Sequence, residues 1–426
     1  MHQSLLILGL GTFSFISWRK LEYGIYSVVF TLPCYLLRLK ILGIPTTVLE
    51  LEIYVLLAIW LIKKFQVSSF KFQVKNIKSL FIVYCPLSIA IALILSGAIL
   101  STIFSSDLRT SAGILKGWFF DPLIFSFIVL NALKIKEQIK NLLFWFAASG
   151  TVVAIMGLFY YFMGRLTFDG RLGAFYLSPN HLAMYLAPCF LAIFYLMVVA
   201  SGKAAKYLWI FGLFSTALAL YLTYSYSTWL GVLAGLIFFN FIFLRAKMKI
   251  WGGVGLIILI IFLFCLQLNS PKLQNLIESP RSSFQSRIMV WQSAILMIKN
   301  NPIFGIGPGM FQEHYLNYQK YFSPYLEWAV PQPHNLFLAF LLQTGLIGFT
   351  GLIWLLVRFF RSGFTRIATR INADTALILM SVMVYTLIHG LLDTTYWKND
   401  LSVVFWLIIS LMIIVEAKNT PKKQRQ

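Results

Sequence analysis

Pro333-His334-Asn335 stands where the polar stretch 268–333 gives way to the apolar run that begins at Leu336. An imidazole at such an edge can accept and release protons near neutral pH, its ordinary pKa being about 6.5. Upstream, Ser282 to Ile298 predicts an amphipathic helix, with Phe284, Ile288, Trp291, Ile295 and Ile298 at helical spacing and Arg287 on its polar side. A guanidinium forms paired, charge-assisted hydrogen bonds to phosphate oxygens. Asn300-Asn301-Pro302 predicts the end of that helix. Arg171, and the turn Ser178-Pro179-Asn180-His181, form a second polar segment.

Each of these residues also has a plain structural reading. His334 or Asn335 can cap the following helix, Asn180 can start one, and Arg287 can pair with lipid phosphate as an interfacial anchor. His181 and His389 read as helix-end or packed histidines. No HExxH spacing or Gly-rich nucleotide loop occurs. Gly305-Ile306-Gly307-Pro308-Gly309 reads as a turn that reverses the chain over the membrane surface.

The elements that must position these residues are set by composition. Hydrophobic residues make up 59% of the chain and charged residues only 12%, with a mean hydropathy of +0.80, against about 25% charged in soluble domains. Continuous apolar runs of bilayer length recur throughout, and in lipid only helices or closed barrels satisfy the backbone. The expected fold is an all-α polytopic membrane protein forming one integral domain over 1–426. About 12–13 transmembrane helices are placed at Leu5–Ser17, Leu21–Leu37, Thr47–Ile62, Leu80–Ile103, Gly113–Leu133, Asn141–Met163, His181–Ala200, Lys206–Thr223, Ser227–Leu244, Ile250–Gln267, Asn335–Val357, Ala373–Leu392 and Leu401–Val415.

Basic residues orient these spans. Lys63, Lys64, Lys71, Lys75 and Lys78, then Lys134, Lys136 and Lys140, then Lys203 and Lys206, then Arg245, Lys247 and Lys249, then Arg358, Arg361, Arg366 and Arg370, and finally the tail 417–426, recur two helices apart. The positive-inside rule makes all six cytoplasmic. Ser105–Arg109, Gly164–Asn180, the large 268–333 loop and Asp393–Asp400 then face outward, with Arg38 and Lys40 as exceptions on that side. The protein is thus expected in the cytoplasmic (inner) membrane as a multi-pass protein, its polar loop outside. Much of the formal charge of +21 reads as contact with membrane lipids rather than nucleic acid. Cys34, Cys85, Cys189 and Cys265 lie in or beside apolar spans, without CxxC spacing, and read as small buried hydrophobes. The N-terminus lacks a leading basic region and a small-residue cleavage site, so Leu5–Ser17 reads as a retained segment.

Several motifs occur in an ordered series. Arg287-xxx-Trp291-xx-Ala294-xx-Met297-Ile298-xx-Asn301-Pro302-xx-Gly305-xxx-Gly309-Met310-Phe311 is followed by His334-Asn335-xx-Leu338-xx-Leu341-xxx-Gly345-xx-Gly348. Arg171-Leu172-Gly173 and Pro179-Asn180-xx-Ala183 precede them. Taken together, the series resembles the O-antigen ligase and polymerase-type membrane glycosyltransferase family. The resemblance implies a GT-C-like bundle with one long periplasmic loop containing short helices. It also implies a polyisoprenyl-diphosphate-linked glycan donor of the undecaprenyl diphosphate kind, and transfer without nucleotide sugar, metal or cofactor. Where that family has Ser-Arg-Gly-Ala-Trp-Leu-Gly, this chain has Ser225-Tyr226-Ser227-Thr228-Trp229-Leu230-Gly231. Either Arg287 and Arg171 hold the diphosphate without a third cation, or the donor or reaction differs.

On this reading His334 is the catalytic base, and Arg287, Arg171, Asn180 and Asn335 bind substrate. The acceptor is a hydroxyl of a glycan, a lipid such as a lipid A core, or a protein. Two other classes fit a dozen helices: a transporter of lipid-linked or small anionic solutes, and a non-catalytic scaffold for envelope assembly. Transporters tend to carry ionisable groups and broken helices at mid-membrane, whereas the charges here concentrate at the faces.

Overall fold

Lipid offers the backbone no hydrogen-bond partner, so apolar runs of this length close their bonds within themselves. The computed structural model is accordingly an all-α polytopic bundle. It describes residues 2–41, 43–67, 74–243, 255, 265, 283–322 and 330–417. The expected span Ile250–Gln267 (except positions 255 and 265), stretches 268–282 and 323–329, Lys71, Arg245, Lys247, Lys249 and the tail beyond Ala417 lie outside the described residues.

The described helices are α1 (His2–Arg19), α2 (Leu21–Phe30), α3 (Val48–Val67), α4 (Val74–Ile103), α5 (Leu108–Ala132), α6 (Lys136–Phe162), α7 (Pro179–Val199), α8 (Lys203–Leu222), α9 (Tyr226–Phe243), α10 (Ser283–Asn300), α11 (Phe311–Tyr318), α12 (Leu336–Ala368), α13 (Ala373–Gly390) and α14 (Asn399–Ala417). Seven of them are long and apolar enough to cross a membrane. The central one is α14, whose apolar side chains from Val403 to Val415 are almost all buried.

Close approach of backbones organises the bundle, as expected where helices gain nothing from excluding water and must pack through small residues. Gly97 of α4 sits against the backbone of Thr344 and Gly348 in α12, and Gly351 of α12 against Ala90 and Ile94 of α4. Gly231 and Gly235 of α9 face Tyr385, His389 and the Ser381 carbonyl of α13, and Gly150 of α6 faces Cys189 of α7.

Two of the expected basic segments make polar contacts with the ends of neighbouring helices. Lys136 pairs with Asp374 at 3.4 Å, and Lys63 reaches the Ser17 carbonyl at 3.4 Å. Elsewhere the connecting segments join one another: Arg171 reaches the Thr223 carbonyl, Asn180 and His334 both reach Asp393, and Asn335 reaches the Leu391 carbonyl.

Three features depart from expectation. The span expected over Leu21–Leu37 ends at Phe30; a 3-10 turn, Leu32–Leu36, follows with Pro33 in its first turn. The chain then forms a hairpin, β1 (Arg38–Ile41) antiparallel to β2 (Ile44–Thr47), with Arg38 opposite Thr47. Proline lacks the N–H a continuing helix needs, so Arg38 and Lys40 come to lie on a hairpin instead of at a helix end.

The second departure is the glycine turn, which is wedged among helices instead of lying over the membrane surface. Gly307 N–H donates to Ser101 Oγ at 3.0 Å, Gly309 N–H to Gln343 Oε1 at 2.9 Å, and Ser111 Oγ–H to the Pro308 carbonyl at 3.0 Å. Against this turn α12 is broken at Gly345, whose φ of 61° and ψ of −173° are not helical. Ile306 N–H bonds to the Leu342 carbonyl at 2.7 Å and Leu346 N–H to the Pro302 carbonyl at 3.0 Å, so the turn supplies partners that the break removes. A Cβ at Gly345 would collide with the Ile303 carbonyl, which is why only glycine fits.

The third departure concerns α10. The helix and its stop at Asn300 are as expected, yet its buried stripe is Met289, Val290, Ala294 and Met297. Phe284 and Ile295 of the expected apolar face are 47% and 46% exposed. Ile288, Trp291 and Ile298 of that face are half-buried, Ile298 against the stripe itself, so the expected face straddles the boundary of the protein core.

Candidate functional site

Asp393 is the centre on which the polar residues converge. It lies in the turn 391–398 between α13 and α14, with its side chain 3% exposed. Its Oδ1 accepts from Thr394 N–H at 2.9 Å and lies 3.1 Å from His334 Nδ1. Its Oδ2 accepts from Asn180 Nδ2 at 3.3 Å and stands 3.6 Å from Arg287 Nη2. Burial by itself would push this carboxyl up, and it is the largest single influence. His334, by charge and hydrogen bond, and then Arg287 outweigh it and hold Asp393 well below the ordinary carboxylate range. The group is therefore an ionised, acceptor-only carboxylate.

His334 reaches it through an unusual backbone. The stretch Pro331-Gln332-Pro333 approaches in extended form, and His334 then adopts φ = +47°, in the left-handed region that non-glycine residues rarely occupy. Such conformations cost of order 1–3 kcal/mol and persist where the surroundings impose them. Here the His334 carbonyl accepts from Trp291 Nε1 at 3.3 Å, while Asn335 takes over the cap of α12. Because the carboxylate can only accept, the neutral ring carries its proton on Nδ1. That leaves the Nε2 lone pair away from Asp393, on a side chain 28% exposed.

The two candidate cations differ. Arg171 is 13% exposed and committed: Nε donates to the Thr223 carbonyl at 2.7 Å, Nη2 to Asn180 Oδ1 at 2.6 Å, and Nη1 lies 3.6 Å from Asp169. Arg287 has Asp393 as its only ion-pair partner among the described residues. Its side chain is 18% exposed. Asn180 links the two systems, taking a bond from Arg171 and giving one to Asp393. It can do so because Ser178 caps α7, accepting from Asn180 N–H at 3.2 Å.

Asn335 is engaged elsewhere. Its Oδ1 accepts from Phe337 and Leu338 N–H, both at 3.0 Å, and its amide donates to the Leu391 carbonyl at 2.9 Å. It ties the start of α12 to the turn carrying Asp393. His389 is fully buried and satisfied between Tyr385 OH at 2.9 Å and Thr228 Oγ1 at 3.4 Å, a packed histidine as expected.

The structure therefore brings together His334, Arg287, Arg171 and Asn180, with Asn335 bracing them. Sequence reasoning missed Asp393, 59 residues from His334. The available signal was a lone acid in Leu391-Leu392-Asp393-Thr394-Thr395, immediately after an apolar span.

A helical membrane bundle with a His–Asp pair and cations at one end defines a polytopic membrane protein with an ionic site at its rim. Residues 211–353 match the family model described as O-Antigen ligase. No curated protein matches the chain. The match takes in Arg287, His334 and Asn335 and ends before Asp393, and it supports the resemblance read from the motifs.

Proposed function

We propose that this site transfers a glycan from a polyisoprenyl diphosphate to an acceptor hydroxyl, at the outer face of the cytoplasmic membrane. One observation supports this above all: Asp393 holds an imidazole on one oxygen and a guanidinium beside the other. In the step envisaged, His334 Nε2 takes the acceptor proton as the acceptor oxygen bonds to the anomeric carbon. The bond from that carbon to the diphosphate oxygen breaks, and the lipid diphosphate leaves with the electron pair. Arg287 holds the diphosphate and offsets its growing charge. Arg171 and Asn180 fix the geometry around Asp393, Asn335 positions the turn, and the apolar bundle takes the lipid tail. Tyr226 stands where the resembling family has a cation, so the diphosphate rests mainly on Arg287.

The test is transfer from a lipid-diphosphate glycan in reconstituted vesicles without nucleotide sugar. Arg287→Lys retains charge but loses the planar fork, and should raise donor KM and lower transfer by at least tenfold at matched protein levels. Parental rates for both Arg287→Lys and Arg287→Ala would reduce Arg287 to an interfacial anchor.

Orientation is tested separately. Phe168 in the 163–178 segment and Thr365 near the other end of α12 are both exposed. With the native cysteines replaced, Phe168→Cys should react with an impermeant thiol reagent in intact cells and Thr365→Cys should not. The reverse pattern would invert the topology.

A further inference from the structure

Four rings crowd the turn between α8 and α9, beside the site yet outside the chemistry just described. Tyr221 and Trp229 stack at 5.5 Å with planes 11° apart; Tyr226 stands edge-on to Trp229 at 5.3 Å; Tyr224 lies 5.9 Å from Tyr221. All four are half-buried. Tyr224 has φ = +49°, a left-handed backbone that a bulky residue adopts only under constraint.

This turn is stitched to the segment carrying Arg171. Leu172 N–H bonds to the Leu222 carbonyl at 2.9 Å and Arg171 Nε–H to the Thr223 carbonyl at 2.7 Å, while Trp229 Nε1–H closes the turn on itself at the Leu220 carbonyl, 3.2 Å away. Tyr226 is close enough to Arg171 to act on it electrostatically, as Arg287 also does.

Aromatic residues at a membrane rim ordinarily form an interfacial belt. A belt ring needs to face lipid. It does not need a strained backbone, ring-on-ring packing, or hydrogen bonds to the loop that holds a buried arginine. Rings held rigidly beside a phosphate-holding site suit a different ligand: the C–H faces of pyranose rings, which stack on aromatic faces at small entropic cost because two torsions fix each side chain.

We propose that Tyr221, Tyr224, Tyr226 and Trp229 form a saccharide-binding platform that holds the sugars nearest the diphosphate. The proposal rests on the glycan-transfer reading and adds where the sugar chain runs. It also gives Tyr226 a role of its own: at this position the chain exchanges a grip on phosphate for a grip on sugar.

The experiment measures saturation-transfer NMR binding of neutral oligosaccharides (maltotriose, cellotriose and chitotriose) to the full chain in nanodiscs, with farnesyl diphosphate as a glycan-free carrier probe. At least one saccharide should bind the parent. Tyr226→Ala, and Tyr224→Asn, which removes the ring while suiting the left-handed backbone, should each weaken it roughly 2- to 10-fold. Tyr226→Phe should retain binding, and all three variants should bind farnesyl diphosphate as the parent does. Phe162→Ala, removing a 78% exposed ring at the end of α6, should change nothing.

Saccharide binding unaffected by loss of either ring, or absent from the parent with all three probes, would overturn the platform. Ring-dependent saccharide binding in a protein that transfers no glycan would overturn the transfer reading alone. Normal transfer with indifferent rings would overturn the platform alone.

Discussion

His334→Asn should lower glycan transfer by roughly 10² to 10⁴, the range for loss of a general base, while the protein still inserts and folds. Asparagine accepts the left-handed backbone found at 334, and the cap of α12 belongs to Asn335, so neither local structure nor helix start depends on the imidazole. The depressed Asp393 carboxyl separates this loss from unfolding. Its contribution to stability is complete above the unfolded value of about 3.9 and disappears only as pH falls through the lower folded value, so turnover compared at neutral pH reads the lost imidazole and not a lost fold. Parental turnover by His334→Asn would remove His334 from the chemistry.

Asp393→Asn should lower turnover by a comparable factor, about 10² to 10⁴, with a different signature. An amide can donate to Nδ1 where the carboxylate could only accept, and doing so places the remaining ring proton on Nε2, the wrong nitrogen for a base. Arg287 meanwhile loses its 3.6 Å counter-charge, which leaves it more available to a diphosphate. The expected outcome is a collapse in kcat with donor KM unchanged or lowered, and an altered pH profile. Equal losses in kcat and in folded protein would instead make Asp393 a purely structural anion.

Much of this was legible in the sequence. Spans such as Asn141–Met163 and His181–Ala200 appear within a few residues of their expected ends, because twenty apolar residues in lipid have one way to satisfy their backbone. His334 and Arg287 were legible because a titratable or cationic group in an otherwise apolar protein must be explained. Asp393 was not, because its partners arrive from α7, α10 and the start of α12, and no local spacing encodes that convergence. The hairpin after Leu37 was hidden in a run of apolar letters that Pro33 interrupts. The outward turn of Phe284 and Ile295 was hidden because periodicity identifies an apolar face without saying whether lipid or protein covers it. The break at Gly345 was equally silent, since a glycine in a membrane helix also serves close packing.

That break costs no backbone hydrogen bond, because the 302–306 turn stands in for the helix: the Leu342 carbonyl is given to Ile306 and the Leu346 N–H to Pro302. The exchange ties the segment that follows α10, the helix bearing Arg287, to the helix that His334 precedes. A side chain at Gly345 would therefore act on the site from a distance, by parting two backbones whose join holds Arg287 and His334 in register while touching neither side chain.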